Sequence, residues 1–213
     1  MPGMDDRSGV RATYERIAGH FATTREYPWP EVESFCGDRR ADTALDVGCG
    51  NGRHVELLAE HADRVIGLDA SRELLAIARD RVPEAEFLEG DAASLPIRDG
   101  SVGLAVYVAT LHHLPTRRLR RRSLDELARV LGREGVSLVS AWSTAHDRFD
   151  ADGDAEAGFD TEIDWTLPGG EAVPRYYHIY APAEFDADLA ASDLTVLESF
   201  VSSGNCYAVV GPE

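Results

Sequence analysis

The feature that most constrains this chain is the turn Asp46-Val47-Gly48-Cys49-Gly50-Asn51-Gly52, which follows a short apolar strand predicted at residues 43–47. Glycines at alternate positions fit a tight turn whose backbone must approach a ligand closely, because a side chain would fill that space. The residues after the turn have helical spacing. The sequence therefore predicts a strand, a ligand-binding turn and a helix in that order.

Strands and helices continue to alternate beyond this turn. Apolar runs predict strands at residues 64–68, 86–88, 102–108 and 136–142, and Ser71 and Thr116 are predicted to cap the helices that follow them. Two last strands, at 195–201 and 206–210, are separated by only four residues. We therefore expect an α/β fold of the Rossmann-like type, with a seven-stranded, mostly parallel sheet that ends in a C-terminal antiparallel hairpin.

One domain is expected to span residues 1–213, with helices in residues 1–40 that contribute to a substrate site. Residues 144–175 contain an acidic insertion with little periodicity, at its most irregular in 144–170. This insertion is predicted to be either a mobile lid or a disordered acidic loop.

Acidic residues follow two further strands at the edge of the sheet where the glycine turn lies. Asp69 is placed to accept hydrogen bonds from two ribose hydroxyls, and Asp91 to bind an adenine amino group. The G-x-G-x-G spacing differs from the G-x-G-x-x-G that binds a dinucleotide pyrophosphate, so it favours S-adenosyl-L-methionine over NAD. Asp46 is expected to hold the methionine ammonium. The predicted cofactor-binding residues are Asp46, Gly48, Cys49, Gly50, Asn51, Gly52, Asp69, Ala70, Asp91, Ala92 and Val108.

The charge of the chain is strongly negative. Its formal net charge is −17, and every Lys or Arg position is an arginine. This composition fits a protein of a high-salt cytoplasm, where salt screens the repulsion between carboxylates. No apolar run approaches the roughly 20 residues that span a bilayer, and no secretory signal is visible, so we expect a cytoplasmic protein. The three cysteines are far apart, which argues against disulfides and a metal site.

Several motifs resemble one family of enzymes in particular. They are Tyr14-Glu15-Arg16-Ile17-Ala18, His20-Phe21, Arg25-x-x-Pro28-Trp29-Pro30, Leu111-His112-His113-Leu114 and Tyr177-His178. Together with Leu45 to Gly52 and Gly90-Asp91, they resemble the class I methyltransferases, and specifically the archaeal and eukaryotic enzymes that esterify 5-carboxymethyluridine at the wobble position of tRNA. The resemblance implies S-adenosyl-L-methionine as donor and tRNA as substrate. It also implies a small zinc-binding activator subunit along the third-strand edge, here Glu86, Phe87 and Leu88.

Transfer of a methyl group to a carboxylate needs alignment and a cationic partner but no general base, because the carboxylate is already ionised at neutral pH. Arg25, beside the rigid Pro28-Trp29-Pro30, is a candidate partner, or else a surface arginine that packs on Trp29. His112 and His113 are predicted at the catalytic mouth, and at least one of them only packs. Trp142 either stacks on the nucleobase or belongs to the core. Tyr177 and His178 complete the predicted substrate-binding residues.

Arginines are concentrated at the start of the helix that Thr116 caps. They are Arg117, Arg118, Arg120, Arg121 and Arg122. Cations are disfavoured there by the helix dipole, so a phosphate-backbone contact would explain them, with Arg117, Arg118, Arg121 and Arg122 as the predicted tRNA-binding residues. Pairing with the acidic insertion is the rival interpretation.

Two other functions remain open from the sequence. One is a methyltransferase that acts on a small quinone or carboxylic acid. The other is a non-catalytic subunit that keeps the fold as a scaffold for a partner. Binding of S-adenosyl-L-methionine would separate the scaffold from the two enzymes, and the role of the arginines would separate the enzymes from each other.

Overall fold

A computed structural model describes residues 7–149 and 156–213 of the chain. The helices are α1 (Arg7–Thr23), α2 (Pro30–Cys36), α3 (Arg53–Leu58), α4 (Arg72–Arg81), α5 (Arg117–Val130) and α6 (Pro182–Ala190). The strands are β1 (Ala41–Val47), β2 (Ala62–Asp69), β3 (Glu86–Glu89), β4 (Val102–Tyr107), β5 (Leu131–Trp142), β6 (Phe159–Thr166), β7 (Ala172–Ile179), β8 (Leu194–Ser202) and β9 (Asn205–Pro212).

Seven of the strands form one sheet in the order β3-β2-β1-β4-β5-β9-β8. The strands from β3 to β5 are parallel to their neighbours, and β9 is antiparallel to both β5 and β8. The predicted fold, including the C-terminal hairpin, is confirmed. The connections reverse direction between β1 and β4, and open α/β sheets bind ligands at the carboxyl ends of the strands beside such a point.

Local sequence explains the alternation. Five of the six residues of β4 are buried because the sheet is covered by helices on both faces. The Ser71 hydroxyl accepts a hydrogen bond from the Leu74 amide at 3.2 Å, and the Thr116 hydroxyl accepts one from the Leu119 amide at 3.3 Å. Both predicted helix caps are therefore present.

The acidic insertion has regular structure over its second half, which contradicts the disordered-loop alternative there. Residues 159–166 form β6, which pairs antiparallel with β7 in a separate two-stranded sheet. Along β6, Asp160, Glu162 and Asp164 are exposed, whereas Ile163 is buried. This is the alternation of a strand with one solvated face, and the acidic composition concealed it. Residues 150–155 lie outside the described part of the chain.

Helix α1 crosses the carboxyl edge of the sheet and packs against α4 and β7. The Glu15 carboxylate accepts hydrogen bonds from the Arg72 and Glu73 amides at 2.9 and 3.1 Å, at the start of α4, where a negative charge is favoured. No helix in residues 7–149 or 156–213 is both long and apolar enough to cross a membrane.

Candidate active site

A cavity of about 750 Å³ opens at the carboxyl ends of β1 to β4, the size expected of a small-molecule site. The glycine turn, the ends of β2 and β3 and the residues after β4 all contribute to its lining. Of the predicted cofactor-binding residues, those that line it are Gly48, Cys49, Gly50, Asn51, Asp69, Ala70, Asp91, Ala92 and Val108. Asp46 and Gly52 are outside the lining.

The glycine turn is held in one conformation by backbone contacts. Gly48 has φ +77°, and a Cβ atom on it would lie 2.1 Å from the Thr110 hydroxyl oxygen. The Gly48 and Cys49 amides both donate to the Leu68 carbonyl, at 2.7 and 2.9 Å. Gly48 therefore cannot be replaced without moving Thr110. Gly52 differs, because a Cβ on it would approach Ala78 of α4, so its role is helix packing.

Asp69 ties the glycine turn to the end of β2. One of its carboxylate oxygens accepts from the Gly50 amide and the other from the Ser71 amide, both at 2.8 Å. Burial raises the pKa of Asp69, and these amide hydrogen bonds oppose the rise. Each oxygen keeps a second lone pair, so the carboxylate remains able to accept hydrogen bonds from a ligand diol.

Asp46 lies beneath the turn with an unused oxygen. Its side chain is buried, and its Oδ2 has no hydrogen-bond partner among the described residues. Burial raises the pKa of Asp46 to about 8, and the charge of Arg53 opposes that rise. A ligand ammonium would compensate this carboxylate, directly or through a water. The residues around the cavity therefore fit S-adenosyl-L-methionine.

His113 forms the far wall of the cavity, and both of its ring nitrogens are engaged. Its Nδ1 lies 2.9 Å from the Tyr176 carbonyl, which can only accept, so Nδ1 carries the hydrogen. Its Nε2 then accepts the hydrogen bond from the Tyr14 hydroxyl at 2.8 Å. Burial lowers the pKa of His113 to about 4, so the ring is neutral at neutral pH.

His112 has a different role from its neighbour. It is buried, does not line the cavity, and its Nδ1 accepts a hydrogen bond from the Trp142 amide at 2.9 Å. Of the two histidines, His113 alone faces the cavity. Trp142 packs edge-on against Tyr177, and Tyr177 is buried against both histidine rings.

The structure separates Arg25 from Trp29. The Arg25 guanidinium lies over the rings of Phe21 and Trp165, at 5.3 and 5.7 Å from their centroids. The Trp29 ring instead lies beneath Arg53. The expectation that a merely structural Arg25 would pack on Trp29 was therefore wrong. Trp165 was missed from the sequence, because β6 itself was not predicted.

His178 faces away from the cavity. Its Nδ1 lies 2.7 Å from an Asp160 oxygen and its Nε2 lies 3.2 Å from a Glu184 oxygen. Neighbouring residues of a strand point to opposite faces, so β7 cannot direct both Tyr177 and His178 to the same side. His178 thus belongs to the packing of β7 against α6.

The arginines of α5 are mostly engaged within the protein. The Nε atoms of Arg117 and Arg121 donate to one oxygen of Asp188, which is 0% exposed, at 2.7 and 2.8 Å. Arg120 is buried and donates to the Leu114 carbonyl. An Arg120 nitrogen also lies 4.0 Å from a Glu184 oxygen. Among the described residues, acidic side chains of α6 therefore compensate three of the five arginines. Arg118 and Arg122 are exposed.

The structure also reveals cavity residues that we had not assigned. Tyr14 lines the cavity with Phe21, and both come from α1. Residues seven apart lie on the same face of a helix, so the spacing of Tyr14 and Phe21 could have predicted that both face the cavity.

Strand β3 is an edge strand of the seven-stranded sheet, and its Phe87 and Leu88 side chains are partly exposed.

Comparison with known proteins agrees with this geometry. Residues 45–139 match the family model of a methyltransferase domain. The chain is 36% identical over 139 residues to a tRNA (carboxymethyluridine(34)-5-O)-methyltransferase of Xenopus tropicalis, a match that covers 65% of this chain and 22% of that protein. It is 30% identical to the enzyme of the same name from Saccharomyces cerevisiae, which covers 78% of this chain and 59% of that protein. The chain thus spans less than two thirds of these relatives.

Two solved structures share the fold over nearly their whole length. A complex of DhpI with S-adenosyl-L-methionine has a TM-score of 0.72 and 22% identity, with 100% of both chains covered. A complex between the Haloferax volcanii Trm112 methyltransferase activator and a putative methyltransferase has a TM-score of 0.70 and 17% identity, with 95% of this chain and 97% of that chain covered. Residues 45–139 therefore match a methyltransferase domain, the chain shares the fold of these two structures, and the residues around its cavity fit S-adenosyl-L-methionine as the cofactor.

Proposed function

We propose that the protein transfers a methyl group from S-adenosyl-L-methionine to the carboxylate of 5-carboxymethyluridine at the wobble position of tRNA. The cofactor supplies an electrophilic methyl group. The carboxylate oxygen provides the electron pair of the new bond, the electrons of the methyl–sulfur bond stay on sulfur, and no proton is released. The products are a methyl ester and S-adenosyl-L-homocysteine.

The observation that carries this proposal is the engaged, neutral state of His113. Its Nδ1 and Nε2 are occupied by the Tyr176 carbonyl and the Tyr14 hydroxyl, and burial lowers the pKa of the ring to about 4. A wall of this kind suits an acceptor that arrives already ionised, as a carboxylate does at neutral pH. Hydroxyl or amine acceptors gain from a general base in their reaction. The relatives named for carboxymethyluridine point to the same acceptor.

The residues proposed to act follow from the cavity. Asp46, the turn from Gly48 to Gly52, Asp69, Ala70, Asp91, Ala92 and Val108 form or support the cofactor site. His113 and Arg25 contact the acceptor, and His112, Trp142 and Tyr177 pack behind this wall of the cavity. We further propose that residues 7–213 act as one domain, in which α1 and α2 complete the acceptor site.

The activator subunit of the Haloferax volcanii complex suggests a partner for this chain as well. The β3 edge, with Glu86, Phe87 and Leu88, is our proposed docking strand, because a sheet edge with partly exposed apolar residues favours pairing. Phe87→Glu should abolish co-purification with a Trm112-type activator. An exposed-strand control, Leu197→Glu on β8, should leave it intact. Retention by Phe87→Glu would place the partner elsewhere.

The net charge of −17 and the absence of lysine support a high-salt cytoplasm as the working environment. In that setting, methyl transfer and thermal stability should both rise as salt is increased from dilute buffer toward molar concentrations. An enzyme that is most stable in dilute buffer would contradict this assignment.

The decisive test of the reaction uses the purified protein with its activator and a tRNA that carries 5-carboxymethyluridine at the wobble position. Mass spectrometry of the digested tRNA should reveal the methyl ester, and Asp69→Ala should eliminate it. A panel of quinones and small carboxylic acids tests the alternative acceptors. Methylation of a panel member, with none on the tRNA, would replace the tRNA proposal with a small-molecule reaction.

A further inference from the structure

Arg175 is an arginine at an inward position of an otherwise apolar strand face. It lies on β7 between Val173 and Tyr177, which are buried, and it pairs in register with Ile163 of β6. Its side chain is only 8% exposed. A strand places alternate residues on one face, so the guanidinium is directed inward by the register of the hairpin.

The same register keeps acidic residues away from Arg175. The acidic residues of β6, Asp160, Glu162 and Asp164, alternate with Ile163 and lie on the exposed face. Within residues 7–149 and 156–213, no carboxylate forms an ion pair with Arg175, and its Nε has no hydrogen-bond partner. Its polar neighbours are the hydroxyls of Tyr14 and Tyr177, which are neutral groups. A buried charge without a counter-charge destabilises a fold, so such a residue calls for a functional explanation.

Aromatic rings and a second cation surround this guanidinium. It lies 4.8 Å from the centroid of Trp165 and 5.1 Å from that of Tyr177. Arg25 lies over the same Trp165 ring at 5.7 Å. Ring faces stabilise a cation only partly, and two neighbouring guanidinium groups repel each other. The cluster therefore carries an excess of positive charge.

This charge is adjacent to the acceptor wall of the cavity. Tyr177 packs on the His113 ring with centroids 4.5 Å apart, and Tyr14, which lines the cavity, bonds to His113. Burial raises the pKa of Tyr14, and the nearby charge of Arg175 opposes that rise. Arg175 thus interacts with the hydroxyl of Tyr14, a residue that lines the acceptor end of the cavity.

We propose that Arg175, together with Arg25 on the shared Trp165 ring, binds the carboxylate of the methyl acceptor. This inference rests on the proposed function for the choice of a carboxylate. A guanidinium binds a carboxylate through two parallel hydrogen bonds, which would fix the direction of the reactive oxygen as well as neutralise the charge. The anion supplies the counter-charge that β6 does not.

The first test compares stability with activity for Arg175→Met and Arg175→Lys. Replacing an unpaired buried charge with an apolar side chain of similar length should leave Tm unchanged or raised. The same Arg175→Met variant should lower kcat/KM for the carboxylate acceptor on the order of 100-fold. Arg175→Lys should recover part of that loss, since it restores charge without the bidentate geometry. A lowered Tm with parallel loss of cofactor affinity would show a structural role and overturn the proposal.

The second test needs neither tRNA nor turnover. The wild-type complex with S-adenosyl-L-homocysteine is heated in the presence of acetate or its neutral isostere acetamide. Acetate should raise Tm more than acetamide does, and this difference should vanish in Arg175→Met but persist in Arg133→Met, an exposed control. Equal effects of the two probes on the wild type would overturn the anion site, whether or not the variants fold.

The two tests separate the failure of this inference from failure of the proposed reaction. An acetate difference that depends on Arg175, without methyl ester on the tRNA, keeps the anion site and rejects the tRNA substrate. Methyl ester on the tRNA, with kcat/KM unchanged in Arg175→Met, keeps the reaction and rejects the role of Arg175.

Discussion

The cofactor half and the acceptor half of the cavity are built in different ways. The cofactor half consists of short loops after β1, β2 and β3, in which the backbone of the glycine turn and the carboxylate of Asp69 form the ligand surface. The proposed acceptor half consists of side chains from α1 and the turn before α5, represented by Tyr14 and His113, with Arg175 of the β6–β7 hairpin as its proposed anion-binding residue. Consecutive loops hold the first half, whereas packing between distant segments holds the second.

This difference implies that the two halves can be damaged separately. A change in the glycine turn should remove cofactor binding, and with it all activity. A change in the acceptor half should leave cofactor binding intact and lower only methyl transfer. Each of the following variants tests that separation.

The largest effect is expected for Gly48→Ala. The added Cβ would lie 2.1 Å from the Thr110 hydroxyl oxygen in a residue with φ +77°. We expect calorimetry to show a loss of S-adenosyl-L-homocysteine affinity of more than about 100-fold, which corresponds to roughly 3 kcal/mol. Gly100→Ala is the matched control, because Gly100 has φ +61° but no atom within 4 Å of its Cβ position. It should lose about 1 kcal/mol of stability and no affinity.

A smaller effect is expected for Trp165→Ala in the acceptor half. Its ring supports Arg25 and Arg175, so its loss should lower kcat/KM about 30-fold, or roughly 2 kcal/mol. The affinity for S-adenosyl-L-homocysteine should not change. Phe159→Ala, in the same strand but 40% exposed, should retain activity. If Trp165→Ala weakened cofactor binding as much as it weakened turnover, the two halves would not be independent.

The next prediction concerns the pH dependence of cofactor binding. Burial raises the pKa of Asp46 from 3.8 to about 8, so most of this carboxyl is protonated at pH 6.5. If its ionised form holds the ligand ammonium, affinity for S-adenosyl-L-homocysteine should rise about tenfold between pH 6.5 and 8. Asp46→Asn should remove this rise, and a wild-type affinity that is flat with pH would exclude Asp46 from the ammonium site.

The same group has an opposite effect on stability. Folded Asp46 keeps its proton up to a pKa of about 8, whereas the unfolded residue loses it near 3.8. The folded state therefore binds more protons between these values, and the contribution of Asp46 to the free energy of unfolding falls as pH rises through that window. Denaturation of the ligand-free protein should show a flatter pH profile in Asp46→Asn than in the wild type.

The smallest effect is expected at the exposed arginines of α5. Arg118→Ala combined with Arg122→Ala should raise KM for tRNA severalfold and reduce the dependence of binding on salt, with kcat unchanged. Arg117 and Arg121 cannot test this point cleanly, because both hold the buried Asp188. An unchanged KM in the double variant would remove α5 from the tRNA interface.

Local sequence was sufficient to predict the strands of the sheet and the residues that line the cofactor half of the cavity. Apolar runs, the caps Ser71 and Thr116 and the glycine spacing each act over a few residues, so they could be interpreted without knowing what packs against them. Parallel strands bring their carboxyl ends to one edge, which is why Gly48, Asp69 and Asp91 could be predicted to meet.

Interpretation from sequence failed where long-range pairing decides a role. The arginines of α5 have a strong composition signal, but only the packing of α6 shows that Asp188 compensates two of them. Tyr177 and His178 were assigned together because they are adjacent, although the pairing of β7 sends them to opposite sides. In both cases, the contacts that decide the role of a side chain come from segments that are distant in the sequence.

The α/β architecture and a glycine turn that leaves room for a ligand could be predicted from the residues alone, since both follow from local periodicity and from backbone freedom at single residues. Which side chains form the far wall of the cavity could be learned only from the folded chain. The fold placed Arg175 inward without a carboxylate and left His113 neutral, because burial and pairing depend on segments that are brought together by folding.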